Sequence, residues 1–141
     1  MGDELLALRQ AVADHLGKIR EMIPTVVENY RHRLRDRVGQ ALAEHNVAVR
    51  PEDLIREVAV FAERSDVAEE VTRLASHLDQ FEAIVRTEDD GPGRKLEFLV
   101  QEMGRETNTI GSKAGDVGVS RQVVEIKAAL EKVRELVQNV E

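Results

Sequence analysis

The sequence predicts an all-α protein, and three observations support this fold class. Apolar residues recur every three or four positions through most of the 141 residues, which is the spacing of one face of an α-helix. Charged residues make up 33% of the chain and aromatic residues only 3%, a composition typical of helical proteins. Short segments rich in glycine or proline separate the periodic stretches. We therefore expect a long kinked N-terminal helix, an antiparallel helical hairpin and a C-terminal coiled-coil-like helix.

The first element is a helix over residues 3–46. Its apolar stripe contains Leu5, Leu8, Val12, Leu16, Ile19, Ile23, Val26, Tyr30, Leu34 and Val38. Pro24 predicts a kink or a boundary near Ile23, because proline lacks the backbone N–H that a helix interior uses. A helix of this length would extend about 60 Å, so its stripe requires a partner helix, a partner chain or another domain. We expect a helical arm over residues 1–50 and a helical domain over residues 51–141, together forming one structural unit.

The middle of the chain contains a short helix and the first helix of the hairpin. Pro51 suits the first turn of the short helix, whose apolar face carries Leu54, Val58, Phe61 and Ala62. Ser65 or Asp66 then predicts the cap of the next helix, although one continuous helix with a slight kink fits the pattern nearly as well. That next helix has the apolar stripe Val67, Val71, Leu74, Leu78, Phe81 and Val85.

The acidic turn TEDDGPG, residues 87–93, leads into the second helix of the hairpin. This helix covers residues 93–116, and its core face contains Leu96, Leu99, Val100, Met103, Thr107 and Ile110. Ser120 predicts the cap of the last helix. The stripe of that helix has the spacing of a coiled-coil seam and contains Val123, Ile126, Leu130, Val133, Val137 and Val140.

Composition excludes several classes of protein. The absence of cysteine excludes disulfides, thiolate metal sites and cysteine nucleophiles. No apolar stretch approaches the roughly 20 residues of a membrane span, and the N-terminus has no signal-peptide core, so we expect a cytoplasmic protein. The net charge of −7 argues against indiscriminate binding of nucleic acid. With one Tyr and three Phe, RNA binding would have to depend on phosphates and shape rather than on base stacking.

The hairpin brings polar residues to one edge. Its first helix carries Glu70, Arg73 and His77 beside the apolar stripe, and its second helix carries Glu102 and Glu106 on the corresponding flank. Corresponding flanks of an antiparallel pair share an edge, so His77 is expected within one turn of both glutamates of the second helix. We interpret Glu70, His77, Glu102 and Glu106 as ligands of Mn²⁺ or Mg²⁺, and His77, Glu102 and Glu106 as catalytic residues.

Cations near this edge predict contacts with RNA phosphates. Guanidinium groups offer paired N–H donors, and we assign this role to Arg73, Arg94 and Arg105, together with the ammonium of Lys113. Arg31 and Arg35 share one side of the basic segment RHRLRDR and predict a second phosphate-binding surface.

Each of these assignments has an alternative. Glu and Arg at helical spacing are by themselves more typical of surface ion pairs, and the basic segment is slightly more typical of a solvated helix flank. A single histidine such as His77 is often a partly buried residue hydrogen-bonded to a carboxylate. We interpret His15, His32 and His45 as surface residues of the arm.

Three segments carry a family resemblance. They are GRKLEFLVQEMGRETNTIGSKAGD at residues 93–116, DVAEEVTRLASHLDQF at 66–81 and VVEIKAALEKVRELVQNVE at 123–141. These segments resemble the C-terminal half of the bacterial YicC family of endoribonucleases. The resemblance implies a metal-dependent RNA-cleaving protein that assembles as a ring-like homo-hexamer. Family members also have a preceding N-terminal domain, which we expect to be missing from this chain.

The resemblance and the residues together support three functions. The first is a metal-dependent endoribonuclease that hydrolyses RNA phosphodiester bonds. The alternative is a non-catalytic helical oligomerisation module of an RNA-processing protein. A third is a helical adaptor for a protein partner.

Overall fold

The computed structural model describes residues 2–45, 48–87 and 93–139, and within these ranges it contains α-helices and no β-strand. The helices are α1 Gly2–His45, α2 Pro51–Arg64, α3 Ala68–Thr87, α4 Gly93–Ala114 and α5 Val117–Gln138. The prediction of an all-α fold is confirmed. None of the helices in these ranges is both long enough and apolar enough to cross a membrane. Most of the predicted turn at 87–93, and Val140 of the predicted seam, lie outside the described residues.

Four helices, α1, α3, α4 and α5, surround one core. Each packs against two neighbours, in the order α1, α3, α4, α5 and back to α1. The ion pairs Glu70–Lys113 and His77–Glu106 run in opposite directions along α3 and α4, so these two helices are antiparallel. Short connections between antiparallel neighbours are the usual topology of a four-helix bundle.

The core of the bundle consists of the apolar stripes that the sequence predicts. All six predicted core residues of α4 are buried, and so is the α3 stripe except for the half-buried Val85. The predicted seam of α5 is buried from Val123 to Val137, where α5 packs against α1 and α4 of the same chain. These side chains therefore serve the bundle itself, and a coiled coil with another chain stays a prediction.

The long helix α1 has two parts. It is continuous through Pro24, so the helix boundary predicted near Ile23 does not occur. Its buried residues are Leu5, Val12, Leu16, Ile19 and Val26, and none lies beyond Tyr30. Residues 2–30 therefore complete the bundle, because the stripes of α3 and α5 need a fourth helix to cover them. Only the part of α1 beyond Tyr30 extends away from the core.

The second part of α1 packs against α2. The ring of Tyr30 stacks on that of Phe61, with centroids 3.9 Å apart and planes within 7°. Phe61 is the buried residue of α2. We call residues 31–45 of α1 together with α2 the arm, because the core includes none of their side chains except Phe61.

Aspartates begin two of the helices. A carboxylate oxygen of Asp66 accepts a hydrogen bond of 3.0 Å from a backbone N–H at the start of α3, so α2 and α3 are separate helices. Asp116 caps α5, since its Oδ2 accepts a bond of 3.1 Å from the N–H of Val119. The cap predicted at Ser120 is therefore wrong, because Ser120 already lies within the helix. Gly115, with φ of +58°, adopts the left-handed conformation after the end of α4.

Candidate active site in the cleft between helices α3 and α4

A polar cleft of about 570 Å³ runs along the outer edge of α3 and α4. Its lining residues come from the flanks next to the two buried stripes, as helical periodicity requires. They are Glu70, Arg73, His77, Glu102, Arg105, Glu106 and Thr109. We call this the α3–α4 cleft. It contains the four predicted metal ligands and two of the predicted phosphate-binding arginines.

His77 and Glu106 form a close pair in this cleft. Nδ1 of the imidazole lies 2.6 Å from Oε1 of the carboxylate, and the side chains are 19% and 6% exposed. The two groups are not aligned as a hydrogen bond, and neither atom has a hydrogen-bond partner among the described residues. Because 2.6 Å is already within bonding range, a small rotation of the ring would complete the bond. The imidazole of His77 is therefore in direct contact with the buried carboxylate of Glu106.

Glu70 is a second buried carboxylate of the cleft. Lys113 donates to its Oε2 over 3.0 Å, whereas Oε1 has no hydrogen-bond partner in the described part of the chain. The Glu70 side chain is only 9% exposed and the Lys113 side chain 43%. An unpaired charge at such a site is unfavourable, so the ammonium is the counter-ion of Glu70. Lys113, which the sequence assigns to phosphate binding, lies against this carboxylate.

The arginines of the cleft are exposed. Nη1 of Arg105 lies 3.3 Å from Oε1 of Glu102, and Arg73 pairs with Glu69 one turn earlier on α3. The Arg105 and Arg73 side chains are 77% and 59% exposed. Ion pairs this exposed contribute about 0–1 kcal/mol, so either guanidinium could exchange its carboxylate for another anion at little cost.

The cleft has the donor atoms of a Mn²⁺ or Mg²⁺ site, which are carboxylate oxygens with one imidazole. In the described part of the chain, the buried atoms without a hydrogen-bond partner are oxygen and nitrogen donors of the type that binds such a cation. They are Oε1 of Glu70, both carboxylate oxygens of Glu106 and Nδ1 of His77. Across residues 2–45, 48–87 and 93–139, however, no three acidic or histidine side chains converge closely enough to hold one ion. The predicted ligand set requires side-chain rotation, and it stays a prediction.

Three of the predicted phosphate-binding arginines lie outside the cleft. Arg94 lines a neighbouring groove of the same helix pair. Arg31 and Arg35 line a groove between α1 and α2 in the arm. Arg31 donates to Glu28 over 2.5 Å, and this bond lowers the pKa of Glu28 below its ordinary value. The cleft and the basic surface of the arm are therefore separate features.

His15 differs from its sequence interpretation, and Phe98 was missed in the sequence. His15 is half-buried between α1 and α5, where its Nδ1 lies 2.7 Å from Oε1 of Gln122. The surface assignment fails there because residues 2–30 of α1 belong to the bundle. Phe98, which we did not single out in the sequence, is 59% exposed beside the cleft. Its signal was available, since Phe98 falls outside the apolar stripe of α4.

Comparison with known proteins identifies the family of this chain. Residues 19–141 match the family model described as "Endoribonuclease YicC-like, C-terminal". The chain belongs to this family. It is 41% identical over 139 residues to the probable endoribonuclease YicC of Clostridioides difficile (strain 630), covering 98% of this chain and 47% of that protein. It is 34% identical over 131 residues to the probable endoribonuclease YicC of Haemophilus influenzae, covering 93% of this chain and 44% of that protein.

The YicC-like match bears directly on the cleft. The matched range includes all of α2, α3 and α4 and therefore every residue that lines the cleft. The family resemblance stated from the sequence is confirmed. The chain spans about half the length of these curated YicC relatives.

Proposed function

We propose that this chain is the RNA-cleaving part of a metal-dependent YicC-like endoribonuclease, and that the α3–α4 cleft hydrolyses phosphodiester bonds of RNA. The observation that carries the proposal is the pair of His77 and Glu106, an imidazole nitrogen 2.6 Å from a buried carboxylate oxygen. The two exposed arginines of the same cleft supply a place for phosphate. The printed name of the relatives, probable endoribonuclease, supports RNA as the substrate.

The pair is suited to proton transfer. In the proposed mechanism Glu106 holds the ring of His77 through Nδ1, and Nε2 accepts a proton from the attacking water. The water oxygen forms the new bond to phosphorus while the bond to the leaving oxygen breaks, and Nε2 returns the proton to that oxygen. The imidazolium that forms in between is stabilised by the buried carboxylate beside it. Arg73 and Arg105 bind the non-bridging oxygens as their charge increases.

A divalent ion would add electrostatic stabilisation of the phosphate at this site. Glu70, Glu102 and Glu106 would hold it through carboxylate oxygens. His77, the fourth predicted ligand, would hold it only in place of its role as base, because the proton transfer uses both ring nitrogens. Lys113 and the ion would compete for Glu70, since both neutralise the same carboxylate.

The test is cleavage of a labelled RNA by this chain, with Mn²⁺ and with a chelator. Glu106→Gln keeps the shape of the side chain and removes its charge, so we expect a rate lower by about 10²- to 10⁴-fold, and the same for His77→Gln. Glu125→Gln is the matched control, because Glu125 is an exposed carboxylate on α5. Circular dichroism monitors helicity. Undiminished cleavage by folded Glu106→Gln would exclude the pair from the reaction.

A second candidate function is the non-catalytic oligomerisation module. The observation that favours it is the apolar surface of the arm, where Ile55 is 69% and Val60 44% exposed. Next to them lies a groove of about 430 Å³ between α1 and α2, lined in part by Leu34, Leu54 and Val58. In this case the homo-oligomer forms through the arm and the chain alone cuts no RNA with or without metal.

A further inference from the structure

Phe98 differs from the other aromatic residues of the chain. There are four, and all lie in the described ranges. Phe61 and Phe81 are 7% and 1% exposed, and Tyr30 is stacked on Phe61. Phe98 leaves 59% of its surface to solvent. A single exposed apolar side chain is ordinary in a folded protein, so the surroundings of the ring decide what it does.

The ring lies in a groove that continues the α3–α4 cleft. This groove measures about 420 Å³ and is lined by Gln80, Ile84, Arg94, Lys95, Phe98 and Leu99. Phe98 is one helical turn before Glu102 of the cleft, a distance of about 6 Å along the helix axis. The groove and the cleft therefore follow one another along the same pair of helices.

The groove combines the two components of a single-stranded RNA site. An exposed aromatic ring can stack on any base, and nearby cations bind the phosphates on either side. Arg94 precedes Phe98 by one turn and lines the same groove, which gives the pocket a positive charge although the chain has a net charge of −7. Paired bases in an A-form helix offer no free face to such a ring, whereas bases in loops and single strands do.

We propose that Phe98 stacks on one unpaired base of the RNA, about two helical turns along α4 from Glu106 of the catalytic pair, and that Arg94 binds the phosphate of that nucleotide. This inference rests on the proposed function, and it narrows the substrate to single-stranded or looped RNA. It also adds to the expectation from composition, which counts against base stacking as the main mode of RNA binding. Three of the four aromatic residues are indeed packed, but the fourth lies beside the reactive cleft.

A tryptophan at this position tests the stacking directly. The chain has no Trp, so Phe98→Trp introduces a single indole at the groove. We expect a short single-stranded oligoribonucleotide to quench its fluorescence in a saturable manner, and a duplex of the same length to quench it far less. Val124→Trp is the matched control, because Val124 is 63% exposed on α5 and distant in sequence from the cleft residues. Equal quenching by both RNAs, or none under conditions where anisotropy shows binding, would overturn the proposal.

Binding and cleavage by Phe98→Ala give a second test. Loss of one stacked base should weaken the binding of single-stranded RNA by about 5- to 100-fold and leave duplex binding unchanged. Val124→Ala should bind as the unaltered chain does. Stacking without any cleavage would contradict the proposed function and support this site. Unchanged affinity with a changed sedimentation coefficient would instead make Phe98 a protein contact and refute the inference.

Discussion

Two buried carboxylates, Glu70 and Glu106, determine the electrostatics of the α3–α4 cleft. They differ in their nearest partner. The ammonium of Lys113 lies 3.0 Å from Oε2 of Glu70, whereas the imidazole of His77 lies 2.6 Å from Oε1 of Glu106. Glu70 therefore has a cationic partner within the chain. Glu106 has an imidazole as its partner, and it is the carboxylate that the proposed proton transfer uses.

The role of Lys113 can be tested through stability. The substitution Lys113→Met leaves Glu70 buried without a counter-ion. We therefore expect the free energy of unfolding to fall by about 1–3 kcal/mol. The double variant Glu70→Gln/Lys113→Met removes the charge as well as its partner and should recover much of that loss. Urea unfolding measures both, with Lys127→Met, at an exposed position of α5, as the control. Unchanged stability together with weaker RNA binding would restore the phosphate-binding role that the sequence predicts.

Periodicity predicts which residues share the cleft, but it does not predict their contacts. The position of His77 opposite Glu106 follows from the apolar stripes, because these fix which flanks of two antiparallel helices meet. Periodicity does not predict that Arg73 pairs with Glu69 or that Lys113 pairs with Glu70. A long basic side chain can reach several carboxylates, and the helix pattern does not decide between them. Because the side chains are flexible in the same way, a set of possible metal ligands on one edge does not predict that they converge on one ion.

At the scale of the element, the junction between α4 and α5 shows why helix ends are harder to predict than helix faces. Asp116 and Ser120 are both good capping residues, and they are four residues apart. The choice depends on Gly115, whose positive φ ends α4 immediately before Asp116. The short connection then positions α5 against α4, where Val123 lies close to Gly111. The capping preferences of Asp and Ser alone do not show where α4 ends or how α5 packs against it.

Alanine substitutions distinguish a glycine that the end of a helix requires from a glycine in the interior of a helix. Gly115→Ala places a side chain at φ +58° with its Cβ 3.4 Å from the ring of Phe61, so we expect a loss of about 1–2 kcal/mol in the free energy of unfolding. Gly17→Ala lies inside α1, where the new Cβ meets nothing within 4 Å apart from the adjacent helix backbone, and should raise the free energy of unfolding by about 0.5–1 kcal/mol. Denaturant unfolding of both variants checks the opposite signs. A stabilising Gly115→Ala would contradict the assigned end of α4.

At the scale of the whole molecule, the bundle and the arm are stabilised differently. The bundle is a closed ring of four helices around a continuous core, whereas the arm contributes one side chain to that core, Phe61, whose ring stacks on Tyr30 of the bundle. The sequence predicts the apolar face of every helix but not which helices become neighbours, because periodicity contains no information on pairing. For this reason periodicity alone does not show that residues 2–30 close the ring. The part of α1 beyond Tyr30 still has a stripe that this chain covers only in part.

The uncovered surface of the arm leads to a prediction about assembly. If a homo-oligomer forms through the arm, burial of Ile55 supplies part of its free energy, because a side chain of this size contributes about 1.5–3 kcal/mol when it is fully buried. Ile55→Asp should therefore lower the sedimentation coefficient toward that of a monomer, while RNA cleavage per chain shows whether assembly is needed for activity. Val124→Asp is the matched control on the bundle, since Val124 is almost as exposed as Ile55.

The two substitutions give distinct results for each arrangement. Dissociation by Ile55→Asp alone assigns the interface to the arm, and faster amide exchange of α2 on dilution of the unaltered protein should accompany it. Dissociation by Val124→Asp alone would move the interface to α5 of the bundle. A chain that sediments as a monomer at every concentration would contradict the prediction of an oligomer. The exposed apolar residues of the arm would then be available for contact with a different protein.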